Sequence, residues 1–73
     1  MFMIKLEFDN DFFLQLIEAK VLPDKTQAAE IGIARSSFLE YKKGERTPRI
    51  DTLNRLADYY GVDARLLLKE VEL

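Results

Sequence analysis

Apolar residues recur three and four positions apart along most of this chain, and that spacing predicts helices. Phe12, Phe13, Leu16 and Ile17 form the first stripe, running to about Lys20, with Asp9, Asn10 and Asp11 ahead of it as acceptors for the free amides of a helix start. Leu22 and Pro23 end the connection, and Asp24 is placed to cap a second helix over about 25–31, with Ala28 and Ile31 facing inward. Phe38 and Tyr41 mark a third helix over about 35–43, stopped by Gly44. After the loop Glu45-Arg46-Thr47-Pro48-Arg49, the residues Ile50, Leu53, Leu56 and Ala57 supply the buried stripe of a fourth helix over about 50–60, ended by Gly61. Asp63 is placed to cap a fifth through about 63–69. Three adjacent leucines there, Leu66, Leu67 and Leu68, cannot all face one small core, so at least one is expected to be exposed or covered by another subunit.

Residues 2–8 break this period. Ile4, Lys5, Leu6, Glu7 and Phe8 alternate apolar with charged, as a half-buried strand does. A lone strand is not stable, so the segment must pair with a second copy, lie along the domain, or remain an irregular arm. The expected architecture is therefore all-α: a compact five-helix domain over 9–70, preceded by a short N-terminal strand or arm over 1–8 and followed by a tail over 71–73.

The second and third stripes define a motif. Ala28 lets two helix backbones approach, Gly32 can take the left-handed conformation that ends the first of them, and Ile31, Ile33, Phe38 and Tyr41 close a shared core. Two short helices crossing through a tight turn are a helix-turn-helix, and that makes double-stranded DNA the first partner to test.

Net charge changes the picture twice. A value of −2 over 73 residues is unfavourable for binding a polyanion, because affinity for DNA rests on lysine and arginine displacing counterions. The charge is unevenly placed, however. Residues 1–19 carry a net −3 and residues 50–73 a net −2, whereas Arg35, Lys42, Lys43, Arg46 and Arg49 against Glu40 and Glu45 leave 35–49 at +3. A charge run is ordinarily just a solvated face; this one coincides with the second helix of the motif and the loop after it.

Composition removes other classes. With no cysteine and no histidine there is no disulfide, no thiolate metal site and no imidazole base, so no metal or cofactor is expected. Ser36, Ser37 and the threonines lack an activating partner, Glu40 and Glu45 lie five apart across Gly44 with no pocket to serve, and the glycines stand singly rather than in a phosphate-cradling loop. An enzyme, or a small-molecule substrate, is not expected. No apolar run is long enough to span a bilayer, the start Met-Phe-Met-Ile-Lys lacks a signal-peptide pattern, and a cytoplasmic location is the expectation.

Three separated features carry a family resemblance. They are Gln27-Ala28-Ala29-Glu30-Ile31-Gly32-Ile33, the run Ser37-Phe38-Leu39-Glu40-Tyr41-Lys42-Lys43-Gly44-Glu45-Arg46-Thr47-Pro48, and Thr52-Leu53-Asn54-Arg55-Leu56-Ala57 with Gly61-Val62-Asp63. Together these resemble the Cro-repressor and lambda-repressor family of helix-turn-helix domains over roughly residues 12–68. The resemblance implies that the third helix enters the major groove, with Arg35, Ser36, Leu39 and Glu40 against base edges: Arg35 paired to guanine, Glu40 accepting from cytosine, and Leu39 or Ala34 on a thymine methyl. It places Ser37, Lys43, Arg46 and Arg49 on phosphates, joined by Lys25 and Thr26 through the open amides of the second helix.

The chain departs from the family at four positions. Asp24 stands where relatives commonly carry a phosphate-binding glutamine, and Gln27 where they often carry leucine, which implies a lost contact and a thinner apolar face. Ile17 and Lys42 stand where many relatives pair arginine with glutamate, which implies an apolar contact and an unpaired lysine. The resulting expectation is a small sequence-specific DNA-binding repressor of phage or mobile-element type. One such motif reads few base pairs, so a homodimer through Leu66–Leu73, residues 2–8, or both is expected, with its reading helices about 34 Å apart. An anti-repressor or antitoxin-like adaptor on the same scaffold, or an excisionase-like architectural protein, is the alternative.

Overall fold

The computed structural model describes residues 3–72. Strand β1 (Ile4–Phe8) leads into four helices, α1 (Asn10–Lys20), α2 (Asp24–Ile31), α3 (Arg35–Lys43) and α4 (Ile50–Tyr60). A 3-10 turn (Ala64–Leu67) then delivers strand β2 (Leu68–Glu72) back alongside β1.

Each helix begins and ends for a local reason. At the start of α1 the Asp9 carboxylate accepts from the Phe12 amide at 3.1 Å, covering one of the donors a helix start leaves free. The same helix ends at Val21, which holds a left-handed conformation at φ 54° and is 85% exposed, an uncommon state for a β-branched residue. Helix α2 ends at Gly32 (φ 88°), whose amide donates to the Ala28 carbonyl at 3.0 Å; the Ile33 amide donates to the same oxygen at 3.1 Å. Gly44 ends α3 at φ 76°, and a side chain there would also meet Asn10 at 3.1 Å.

The core gathers Phe13, Phe38, Leu56 and Leu67, all fully buried, with Ile17, Ala28, Tyr41, Leu53 and Ala57. Phe13 is central: it meets Phe38 edge to face at 5.4 Å, Phe8 at 5.6 Å and Tyr60 at 6.0 Å. Edge-to-face pairs of this kind add about 0.5–1.5 kcal/mol beyond the area they bury. Phe8 reaches the core from the strand, so β1 is anchored at its helix-proximal end.

Among the described residues Gln27 is the one buried polar side chain, and it lies in the core rather than on a thinned surface. Its Nε2 donates to the carbonyls of Ile17 (3.1 Å) and Leu22 (2.9 Å), and its Oε1 accepts from the Tyr60 hydroxyl at 2.5 Å. Ile17 belongs to the last turns of α1, whose carbonyls run out of helical donors. Where leucine would offer only area, Gln27 ties the end of α1, the connection after it and α4 to α2.

Four expectations are corrected. The fifth helix over 63–69 is absent: Asp63 does cap, accepting from the Arg65 amide at 2.9 Å, but only the 3-10 turn follows before the chain extends. The alternation Leu68-Lys69-Glu70-Val71-Glu72 finds an antiparallel partner in β1, in the register Ile4↔Glu72, Lys5↔Val71, Leu6↔Glu70, Glu7↔Lys69 and Phe8↔Leu68. Residues 2–8 and Leu66–Leu73 are thus not two separate surfaces, because within the described residues they pair with each other; Phe2 and Leu73 lie outside those residues. Ile50 is 66% exposed, since α4 begins one turn beyond the edge of the core that Leu53 reaches. Asp24 is not a cap: Pro23 holds that position without a side-chain bond, and the Asp24 carboxylate is engaged elsewhere. Of the three leucines, Leu67 is fully buried, Leu68 half-buried and Leu66 exposed, as three consecutive positions require.

Candidate nucleic-acid interface

The α2–turn–α3 unit is fixed from within. Ala28 is almost fully buried, Gly32 makes the turn, Ile33 is half-buried against the core, and Phe38 and Tyr41 lock α3 from its inner side. What α3 shows outward follows from helical spacing. Arg35 and Ser36 are exposed in its first turn, with Leu39 and Glu40 one turn on and half-exposed, so these four form one continuous face. Neither α2 nor α3 has a side-chain cap, their preceding residues being Pro23 and Ala34, so the first-turn amides of both are free of side-chain acceptors. Lys25 is exposed and Thr26 half-buried in that first turn of α2.

The basic strip is less free than its composition implies. Lys42 Nζ stands 2.8 Å from Asp24 Oδ2, so it is not the unpaired lysine expected, and the Asp24 charge that would repel a phosphate is neutralised. Arg46 folds back over α3: its Nη1 lies 3.1 Å from Ser37 Oγ and 3.7 Å from Glu40 Oε1, and its guanidinium sits 5.7 Å from the centre of the Tyr41 ring. Lys43 stands 3.8 Å from Glu45. Among the described residues no carboxylate engages Lys25, Arg35 or Arg49, which leaves these three as the open cations of this side.

The structure thus brings Arg35, Ser36, Ser37, Leu39, Glu40 and Arg46 into one patch, with Lys43 and Arg49 at the far end of α3 and in the loop before α4, and Lys25 and Thr26 across the turn on α2. Spacing within a helix places the first group, whereas the return of Arg46 onto Ser37 and Glu40 depends on a loop path that spacing does not encode. Sequence reasoning misses a second group. The β1–β2 ribbon lies beside the loop after α3, and a cleft of about 250 Å³ opens between them, lined by Lys5, Leu6, Glu7, Phe8 and Lys69 of the ribbon and by Asn10, Gly44, Arg46 and Thr47. Helical spacing puts Lys69 into a helix, where it would not meet Lys5.

Two crossed helices, a left-handed glycine between them and an outward polar first turn on the second define a DNA-binding helix-turn-helix domain. Residues 18–67 match the helix-turn-helix family, and the chain belongs to it, in its lambda-repressor-like form. Among characterised relatives, it is 36% identical over 42 residues to a cryptic phage CTXphi transcriptional repressor, RstR, of Vibrio cholerae. That similarity covers 58% of this chain and 38% of the relative, so the chain spans well under two thirds of the relative's length. No solved structure matches. None of the helices among the described residues is long and apolar enough to cross a membrane.

Proposed function

We propose that this chain is a sequence-specific DNA-binding transcriptional repressor of phage type, in which α3 lies in the major groove. The observation that carries the reading is the outward first turn of α3: Arg35 and Ser36 are exposed, uncapped and unpaired, on a helix held rigidly by Phe38 and Tyr41. Arg35 is the residue assigned to bidentate reading of guanine, with Ser36, Leu39 and Glu40 completing the base-facing surface. Lys25, Thr26, Ser37, Lys43, Arg46 and Arg49 are assigned to phosphates, which fix register without reading sequence. In this role Arg46 exchanges Glu40 and Ser37 for a phosphate, or holds Glu40 in place while Lys43 and Arg49 take the backbone.

The protein acts as a homodimer in this reading. One nine-residue reading helix covers only a few base pairs, and the ribbon offers a second copy what it needs: exposed Met3, Ile4 and Leu6 and unpaired strand edges. Light scattering at micromolar protein checks this, and a monomer on its own specific duplex would remove it.

Selection of bound duplexes from a random pool, followed by Arg35→Ala on the selected site, tests the function. An enriched palindrome is expected, and the substitution is expected to cost about 1–3 kcal/mol on that site while relaxing preference at one base pair. Equal losses on selected and random DNA would contradict the reading role of Arg35, and failure to enrich any sequence would contradict sequence-specific binding.

A further inference from the structure

The ribbon sorts its charges by face. In an antiparallel pair, directly opposed residues point the same way and successive residues alternate. The observed register therefore puts Lys5, Glu7, Lys69 and Val71 on one face, and Ile4, Leu6, Glu70 and Glu72, with Phe8 and Leu68, on the other. Both lysines of the ribbon line the cleft, together with Glu7, Leu6 and Phe8, whereas the two carboxylates of β2 do not. Across the cleft stands Arg46, in the loop that follows the proposed reading helix, beside the hydroxyl of Thr47 and the amide of Asn10. Among the described residues the only carboxylate lining the cleft is Glu7, whose 3.6 Å approach to Lys5 is between two well-exposed side chains and so holds Lys5 weakly.

We propose that this cleft is a phosphate-binding site for the DNA backbone that flanks the base pairs covered by α3, with Lys5 and Lys69 supplying contacts from the ribbon and Arg46 and Thr47 from the loop. The inference rests on the DNA-binding reading above and extends it to two residues outside the helix-turn-helix. Three cations stand against one lining carboxylate, with Glu40, which does not line the cleft, 3.7 Å from Arg46, and that balance suits a polyanion. The ribbon then acts on affinity and register, and carries no sequence preference of its own.

The test compares wild type, Lys5→Gln/Lys69→Gln and Glu7→Gln on a selected duplex and on a mixed-sequence duplex of equal length, each at several salt concentrations. Losing two phosphate contacts should reduce the slope of log affinity against log salt by about 2, equally on both duplexes. Glu7→Gln, which removes the one opposing charge, should tighten binding to both several-fold; it keeps the test decisive should the double variant not fold, which circular dichroism reports. Wild-type binding with an unchanged slope in a folded double variant, or a Glu7→Gln protein that binds no tighter, would overturn the ribbon site alone. Absence of salt-dependent binding by the wild type to either duplex would instead overturn the DNA reading itself, and this site with it.

Discussion

Lys42 and Asp24 join the two helices of the motif, ammonium to carboxylate at 2.8 Å, with each side chain about a third or less exposed. The pair lies across the α2–α3 crossing, at positions where the family resemblance led to an unpaired lysine and a repelling carboxylate. A shielded ion pair is costly to break from one side, because the remaining charge keeps its desolvation without its partner. Asp24→Asn and Lys42→Met are each expected to lower stability by about 1 kcal/mol, with a coupling of about 0.5–1 kcal/mol in the double-mutant cycle. Urea unfolding of the four proteins measures this. Additive losses would show that the contact contributes nothing.

Gln27 gives a sharper prediction, because here the more hydrophobic residue should be worse. Gln27→Leu leaves the Ile17 and Leu22 carbonyls and the Tyr60 hydroxyl without their partner. A buried group left unpaired costs about 1–3 kcal/mol, so the substitution is expected to destabilise by at least about 2 kcal/mol despite the gain in apolar surface. Tyr60→Phe should cost about 1 kcal/mol in the wild type and close to nothing in the Gln27→Leu background. A neutral Gln27→Leu protein would refute the account.

The same hydroxyl, with that of Tyr59, is expected to govern stability at alkaline pH. Burial first, and then the neighbouring Tyr59 and Asp24 charges, push Tyr60 well above the ordinary tyrosine range, while Tyr59 is pushed up to about 12 by burial and by Glu30, which accepts a hydrogen bond from its hydroxyl. A group whose folded pKa is raised supports the fold fully below its unfolded value and loses that support as pH rises. Stability is therefore expected to hold up to the ordinary tyrosine range near pH 10 and to fall through about 12. Tyr60→Phe should move the alkaline unfolding midpoint upward, followed by circular dichroism beside tyrosinate absorbance. Unfolding below the onset of tyrosinate absorbance would point to another group.

Val21 should be improvable. At φ 54° and 85% exposed, its branched side chain holds a left-handed conformation and packs against almost nothing in return. That conformation costs an L-residue about 1–2 kcal/mol, and glycine escapes the cost while losing some unfolded-state restriction. Val21→Gly is expected to gain about 1 kcal/mol, a rise of about 4–8 °C in melting temperature for a domain of this size. A fall in melting temperature would mean that the valine is stabilised by something its exposure does not reveal.

The four helices are legible because each is written twice, once in its apolar spacing and once in its ends. Asp9 starts α1, and Gly32, Gly44 and Gly61 stop the other three in left-handed turns. The region after Asp63 lacks that redundancy: three leucines satisfy a helical stripe, and Leu68-Lys69-Glu70-Val71-Glu72 equally satisfies a strand, so the decision falls to a partner at the other end of the sequence. Asp24, Lys42 and Gln27 escape a sequence reading for a related reason. The partners of Gln27 are mostly backbone carbonyls, which no residue pattern displays, and the acid that meets Lys42 sits on the neighbouring helix, where no spacing within α3 displays it. For the candidate interface, the residues of α3 follow from helical phase, whereas the meeting of Lys5, Lys69 and Arg46 follows only from strand register.

A ribbon built from the two most distant stretches of the described chain also favours an order of assembly. Pairing Ile4 with Glu72 closes a loop containing every helix, and that closure costs the most entropy when the helices are still unformed. The helices are therefore expected to come together first and the ribbon to zip last and open first, so that its amides exchange with solvent ahead of those in α1 and α4, which hydrogen exchange measures.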